Sequence, residues 1–107
     1  AARATLEVMV SADVPAHLER VGGRLLTGLH ALAERYPGVV TAARGIGPMC
    51  HLECRTEPVS GRLARDAARR GLLFKRSAYN FVSLAHDEAT VDRTLGLLDD
   101  VLQALAP

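Results

Sequence analysis

The sequence predicts an α+β fold, a small and mostly antiparallel sheet with helices packed on one face. Three observations carry that prediction. Apolar residues recur at helical spacing in two long stretches, Leu18 to Tyr36 and Val91 to Leu105. Two β-rich runs flank a short turn, Gly45-Ile46-Gly47-Pro48. The whole order reads α, α, β, β, α, β, β, α, and helices layered on one side of a small sheet is the economical packing for it.

Composition sets the frame. A chain of 107 residues suggests one domain, residues 1–107, and 49% hydrophobic residues can build a core. Two Tyr, two Phe and no Trp make that core aliphatic. The formal charge of +1, with arginines scattered among acids, argues against a nucleic-acid reader. No apolar run approaches the roughly 18 residues a membrane span needs. No charged, then apolar, then small-residue signal opens the chain, and two cysteines make no disulfide framework. A cytoplasmic protein is the expectation.

Ala1 to Met9 looks helical from its first residue, with no capping residue ahead of it and no initiator Met. The expectation is the later part of a longer polypeptide, with ordinary Met removal as the other explanation. The helix should stop near Ser11 to Asp13. Asp13-Val14-Pro15 then signals a second helix, capped by Asp13 and running to about Tyr36. Its stripe is Leu18, Val21, Leu25, Leu29, Leu32 and Tyr36. Gly22, Gly23 and Gly28 each cost about 1 kcal/mol of helix propensity relative to Ala. They point to close packing or simply weaken the helix.

Pro37-Gly38 ends that helix. Val39 to Arg44 and Met49 to Arg55 read as an antiparallel pair across the glycine turn. The turn is no phosphate loop: it lacks a third glycine and leads into a strand. Cys50, His51 and Cys54 invite a metal reading that strand geometry opposes. The two thiols share a face but lie ~13 Å apart, His51 points the other way, and no second cluster supplies ligands. Structural thiols and no metal are expected. Thr56 to Gly61 reads as a loop, with Ser60 capping a third helix from Arg62 to Arg70. Arg62, Arg65, Arg69 and Arg70 form a solvated face interrupted by Asp66, and Gly71 stands just past the end.

Gly71 to Thr94 is the stretch around which function is sought. Leu72 to Phe74 and Phe81 to Leu84 read as two more strands. Between them Lys75-Arg76-Ser77-Ala78-Tyr79-Asn80 mixes a lysine, an arginine, hydroxyls and an amide. It is either a solvated connection or a platform that presents polar groups to a ligand. His86 precedes the Asp87 cap of the closing helix, which favours a structural role over acid–base work. The closing stripe is Val91, Leu95, Leu98, Leu102 and Leu105.

Three motifs carry a resemblance. They are the run from Gly71 through Phe81-Val-Ser-Leu-Ala-His to Glu88, the Ala43-Arg-Gly-Ile-Gly-Pro-Met49 turn, and His17-Leu-Glu-Arg20 with Gly22, Leu25 and Leu29. In order and spacing they resemble the end of class-III pyridoxal-phosphate aminotransferases, in the form nearest glutamate-1-semialdehyde 2,1-aminomutase. The resemblance covers essentially the whole chain. It implies the C-terminal small domain of the fold-type-I architecture, packed on a large domain that holds pyridoxal phosphate, usually in a homodimer. It implies amino transfer between small-molecule donors and acceptors. Two departures stand out. Lys75 is the only lysine, and its surroundings do not match the family's Schiff-base segment; the phosphate loop and the pyridinium-pairing aspartate are missing too. No catalytic or cofactor-binding residue is therefore expected here. An arginine that clamps a substrate carboxylate in many family members is replaced by Ser83 in a gapless alignment. Lys75, Arg76, Tyr79, Asn80 and Ser83 are the candidates to reach substrate. The competing expectation is a free-standing, non-catalytic α+β interaction module.

Overall fold

The structure, a computed structural model, describes residues 1–107. Its elements are α1 (Ala2–Ser11), α2 (Val14–Arg35), β1 (Val40–Ile46), β2 (Met49–Cys54), α3 (Glu57–Arg69), β3 (Asn80–Phe81) and α4 (Glu88–Leu105). The sheet has three antiparallel strands in the order β1-β2-β3. The α+β expectation holds, with three strands in place of four.

The helical layer follows the apolar stripes. Leu29, Leu32, Val40, Leu63, Val101 and Leu102 are all buried and join α2, α3 and α4 to the inner face of the sheet. Arg20–Glu88 at 2.9 Å, Arg24–Asp92 at 2.7 Å and Arg35–Asp99 at 2.8 Å run along the α2–α4 seam. Exposed pairs of this kind add little stability each, but their spacing fits one register of the two helices. Tyr36 adds its hydroxyl to Asp99 at 2.6 Å.

Close packing explains two of the α2 glycines. A Cβ on Gly22 would run into the Gly47 and Pro48 backbone, and one on Gly28 would overlap the Leu95 side chain. Gly23 faces open space. The β1–β2 turn thus sits directly on α2, and Val82 N–H ties β3 to the same turn through Pro48 C=O at 2.9 Å.

Several local expectations are corrected. The third helix starts at Glu57, not Arg62. Thr56 caps it, Oγ1 accepting from Val59 N–H at 3.3 Å, with Glu57 and proline in the first turn. Ser60 is no cap; it is buried inside α3. Asp13 makes no side-chain cap bond either. It adopts a left-handed φ of 46° and joins α1 to α2 through its backbone. Gly71 does occupy the left-handed position past α3, at φ 95°, with Leu72 N–H reaching Ala67 C=O at 3.0 Å. Asp87 does cap α4, its carboxylate accepting from Thr90 N–H at 2.7 Å.

The largest correction concerns Leu72 to Phe74. The segment forms no strand, and Phe81 to Leu84 shrinks to the two-residue β3. A strand needs a partner's backbone groups, and Asn80 intercepts the next residue's. Lys75 N–H donates to Asn80 Oδ1 at 2.7 Å, and Asn80 Nδ2 donates to Lys75 C=O at 3.0 Å. One carboxamide thus takes the place of two ladder bonds.

Candidate functional site

The helices cover one face of the sheet and leave the other bare. Register defines the bare face. Ile46 stands opposite Met49, and Met49 opposite Phe81, so the three form an apolar row across all strands. Ile46 is 61% exposed and Phe81 65% exposed. Two residues along β2 from Met49, His51 lies on the same face, opposite Arg44. Arg44 forms an ion pair with Glu53 at the far edge, which holds the Glu53 carboxyl below its ordinary range.

The loop from Lys75 to Asn80 rises beside this face. Tyr79 crosses onto it. Its ring meets the His51 imidazole edge-on, centroids 4.9 Å apart at 87°. Contacts of this kind contribute about 0.5–1.5 kcal/mol. The same ring lies over Gly45, where an added Cβ would meet it at 3.0 Å. Gly45 also needs its own freedom, with φ at 109° in the hairpin. Nδ1 of His51 is buried and bonded to nothing in the chain, at a cost of about 1–3 kcal/mol.

The other candidates have different surroundings. Lys75 is exposed and its backbone is held by Asn80. Arg76 pairs with Glu57 at 2.7 Å, and its guanidinium lies against Gly61, where a Cβ would meet Nη1 at 2.7 Å. It pins the loop to the first turns of α3. Ser83 closes the bend ahead of α4: its N–H donates to His86 Nδ1 at 2.9 Å, and its Oγ accepts from Ala85 N–H at 3.2 Å. His86 C=O in turn accepts from His17 Nε2–H at 2.7 Å, tying this bend to α2. His86 is structural in these contacts. The loop therefore joins the Lys75 backbone to Asn80 and sets Tyr79 against His51, while Arg76 and Ser83 serve at its two anchors. Sequence reasoning misses Gly45, His51, Glu57 and Gly61 as their supports. Only the Gly45 turn carries a visible signal, and that signal speaks for hairpin chemistry alone.

A cavity of about 190 Å³ lies between Leu72–Phe74, β2 and α4, walled by Leu29, Leu52, Val82 and Leu98 among others. It marks where the expected strand is absent. No group of three or more His, Cys, Asp or Glu side chains is placed to hold a metal. Burial pushes the Cys50 and Cys54 thiols up, which keeps them protonated and weakly nucleophilic.

A second bare surface is α1. It contacts only α2 and has no buried residue. Arg3, Glu7 and Ser11 make one polar strip, while Leu6, Val8, Met9 and Val10 are exposed over much of the remaining circumference.

The sequence matches no family model. Solved structures do match. The chain is similar to an amine transaminase from an uncultivated Pseudomonas species, in its PLP-bound internal aldimine form, at 25% identity and a TM-score of 0.82, over 96% of this chain and 26% of that one. A thermostable (S)-enantioselective omega-transaminase from Thermomicrobium roseum matches at 21% identity and a TM-score of 0.75, over 95% and 25%. An omega-transaminase from Sphaerobacter thermophilus matches at 17% identity and a TM-score of 0.69, over 82% and 23%. This chain spans about a quarter of the length of the transaminases it matches. The likeness does not single out glutamate-1-semialdehyde aminomutase. The fold is that of an aminotransferase segment, an α+β unit matching a transaminase small domain.

Proposed function

We propose that this chain is the small-domain segment of a longer pyridoxal-phosphate-dependent aminotransferase, lending a wall of the substrate entrance and helping the domains close. The observation that carries the reading is the bare, apolar sheet face. On a unit whose fold recurs as a quarter of a transaminase, that face and α1 are the surfaces a large domain would cover. A free-standing interaction module is the other reading. It calls for a chain without a large exposed apolar surface, and the Ile46–Met49–Phe81 row argues against it.

The residues present do not fit a self-contained cofactor site. Lys75, the single lysine, is exposed, makes no ion pair, and has no carboxylate poised as an electronic partner. Pyridoxal phosphate belongs, in this reading, to the large domain of the parent enzyme, a cytoplasmic homodimer. This chain is not catalytic alone. Its share is at the entrance: Lys75 and Tyr79 face the substrate, and Arg76, Asn80 and Ser83 fix the loop that carries them. With Ser83 rather than a cation in its place, the position offers no clamp for a carboxylate. That suits an amine donor without one, or an aminomutase-type substrate set.

The test is kinetic and spectroscopic. The whole polypeptide that contains this chain should carry the cofactor's absorbance and move an amino group from a primary amine to a keto acid. The 107-residue chain alone should do neither. Turnover by the chain alone, or a parent with no cofactor, contradicts the proposal.

A further inference from the structure

We propose that the bend between β3 and α4 is a proton-sensitive latch, closed while the His86 imidazole is neutral and opened when a proton binds its Nδ1. That one nitrogen closes the bend. Ser83 N–H donates to His86 Nδ1 at 2.9 Å, and Ser83 Oγ stands 3.2 Å from the same atom. Only a ring with a free lone pair at Nδ1 accepts the N–H. A proton there sets one N–H against another. The Ser83 hydroxyl oxygen offers partial relief as an acceptor, but it already accepts from Ala85 N–H at 3.2 Å, and the opposed Ser83 N–H remains. The charged groups around the ring do not compensate. On α2, His17 Nε2–H donates to the His86 carbonyl at 2.7 Å, and Arg20 Nη2 stands 3.4 Å from His17 Nδ1. On α4, the Asp87 carboxylate accepts from Thr90 N–H at 2.7 Å, and Glu88 is paired with Arg20 at 2.9 Å. Neither acid bonds to His86. On β2, His51 lines the same cavity as His86, and most of the other lining residues are apolar. A charge on His86 therefore loses a hydrogen bond and gains no carboxylate. Because His17 holds the His86 carbonyl, opening the bend also releases this tie between α2 and the start of α4.

The experiment follows amide exchange by mass spectrometry in the whole polypeptide that contains this chain, from about pH 7.5 down to about pH 4. Each rate is divided by the unfolded-chain rate at the same pH. The open bend takes up a proton at an unconstrained imidazole's pKa of about 6.5 and the closed bend does not, so acid favours opening. Protection of the peptide spanning residues 82–91 should fall about tenfold between about pH 7.5 and about pH 5.5, while the peptides of α3 keep theirs. His86→Asn places an acceptor oxygen near the position of Nδ1 and takes no proton. It should stay protected and lose the pH dependence. His17→Ala should lower protection of the bend at every pH and leave the pH dependence in place. Where His86→Asn does not fold, the unsubstituted protein decides alone. Protection that stays level, that falls only below about pH 4.5 with the carboxyl groups, or that falls equally in α3, overturns the inference. So does a pH dependence that survives His86→Asn or disappears in His17→Ala.

Discussion

The helical layer and the bare face of the sheet are made from one short sequence and behave as opposites. In the layer of α2, α3 and α4, apolar side chains find partners inside the chain. Leu102 and Val101 are almost wholly buried, and cross-helix charges meet in pairs. On the bare face, Ile46 and Phe81 have no covering layer, and a buried imidazole nitrogen is left without a bond. A region whose groups are satisfied within the chain reports on folding. A region whose groups are not reports on what the chain meets.

The contrast can be broken at several points, beginning with the strongest. Leu102→Ala should destabilise the chain by about 3 kcal/mol in urea unfolding, while Phe81→Ala should stay within about 0.5 kcal/mol. Comparable losses at the two sites would mean that the bare face is packed after all. The glycines of α2 give the next largest effect, with opposite signs at adjacent positions. Gly22→Ala forces a Cβ into the Gly47 backbone and should cost about 1–3 kcal/mol. Gly23→Ala meets nothing within 4 Å and should gain up to about 1 kcal/mol. Equal effects on thermal unfolding would remove the packing account of the turn.

Asn80→Ala tests the loop with a smaller effect. Losing the two bonds to Lys75 should cost about 1 kcal/mol and speed amide exchange at Lys75 without altering exchange in α4. Unchanged exchange at Lys75 would show that the carboxamide does not hold the loop. The smallest effect is electrostatic. Hydrogen bonds hold the carboxyls of Asp87, Asp92 and Asp99 below their ordinary range, from Thr90 N–H, Arg24 and Tyr36 respectively. A carboxyl with a lowered folded pKa adds stability that is complete above its unfolded value of about 3.9 and fades as pH falls through the folded value. The urea midpoint should therefore decline as the solution is acidified through that range. Asp92→Asn and Asp99→Asn should flatten the decline, and an undiminished slope would exclude these seams as its cause.

The same contrast explains how much the amino-acid sequence discloses by itself. The α2 and α4 stripes are legible because helical periodicity is a local signal and the partner face lies within the chain. The Asp87 cap and the left-handed Gly71 are legible for the same local reason. Thr56-Glu57-Pro58 holds a helix-start signal too, but Ser60 offers a rival cap three residues before another apolar run. Leu72 to Phe74 misleads because a short apolar run specifies a strand only if a partner's backbone is free, and Asn80 answers Lys75 with its side chain instead. His51 is the hardest case. Alternation along β2 places it correctly on the face away from Cys50, but nothing in the sequence says that Tyr79 comes across to meet it. Tyr79 and Lys75 are candidates from composition and resemblance, whereas the contacts of Arg76 with Glu57 and Gly61 depend on how its loop folds back onto the first turns of α3.

One measurement bears most directly on the claim that this chain is a segment of a pyridoxal-phosphate aminotransferase. It is the intact mass, under denaturing conditions, of the protein from its native source after borohydride reduction. A polypeptide roughly four times the length of this one, in line with the 26% of the Pseudomonas enzyme that it covers, and carrying a reduced pyridoxyl group, is the expected result. A mass of 11.4 kDa with no added group would contradict it, and would leave the bare face to a separate partner protein.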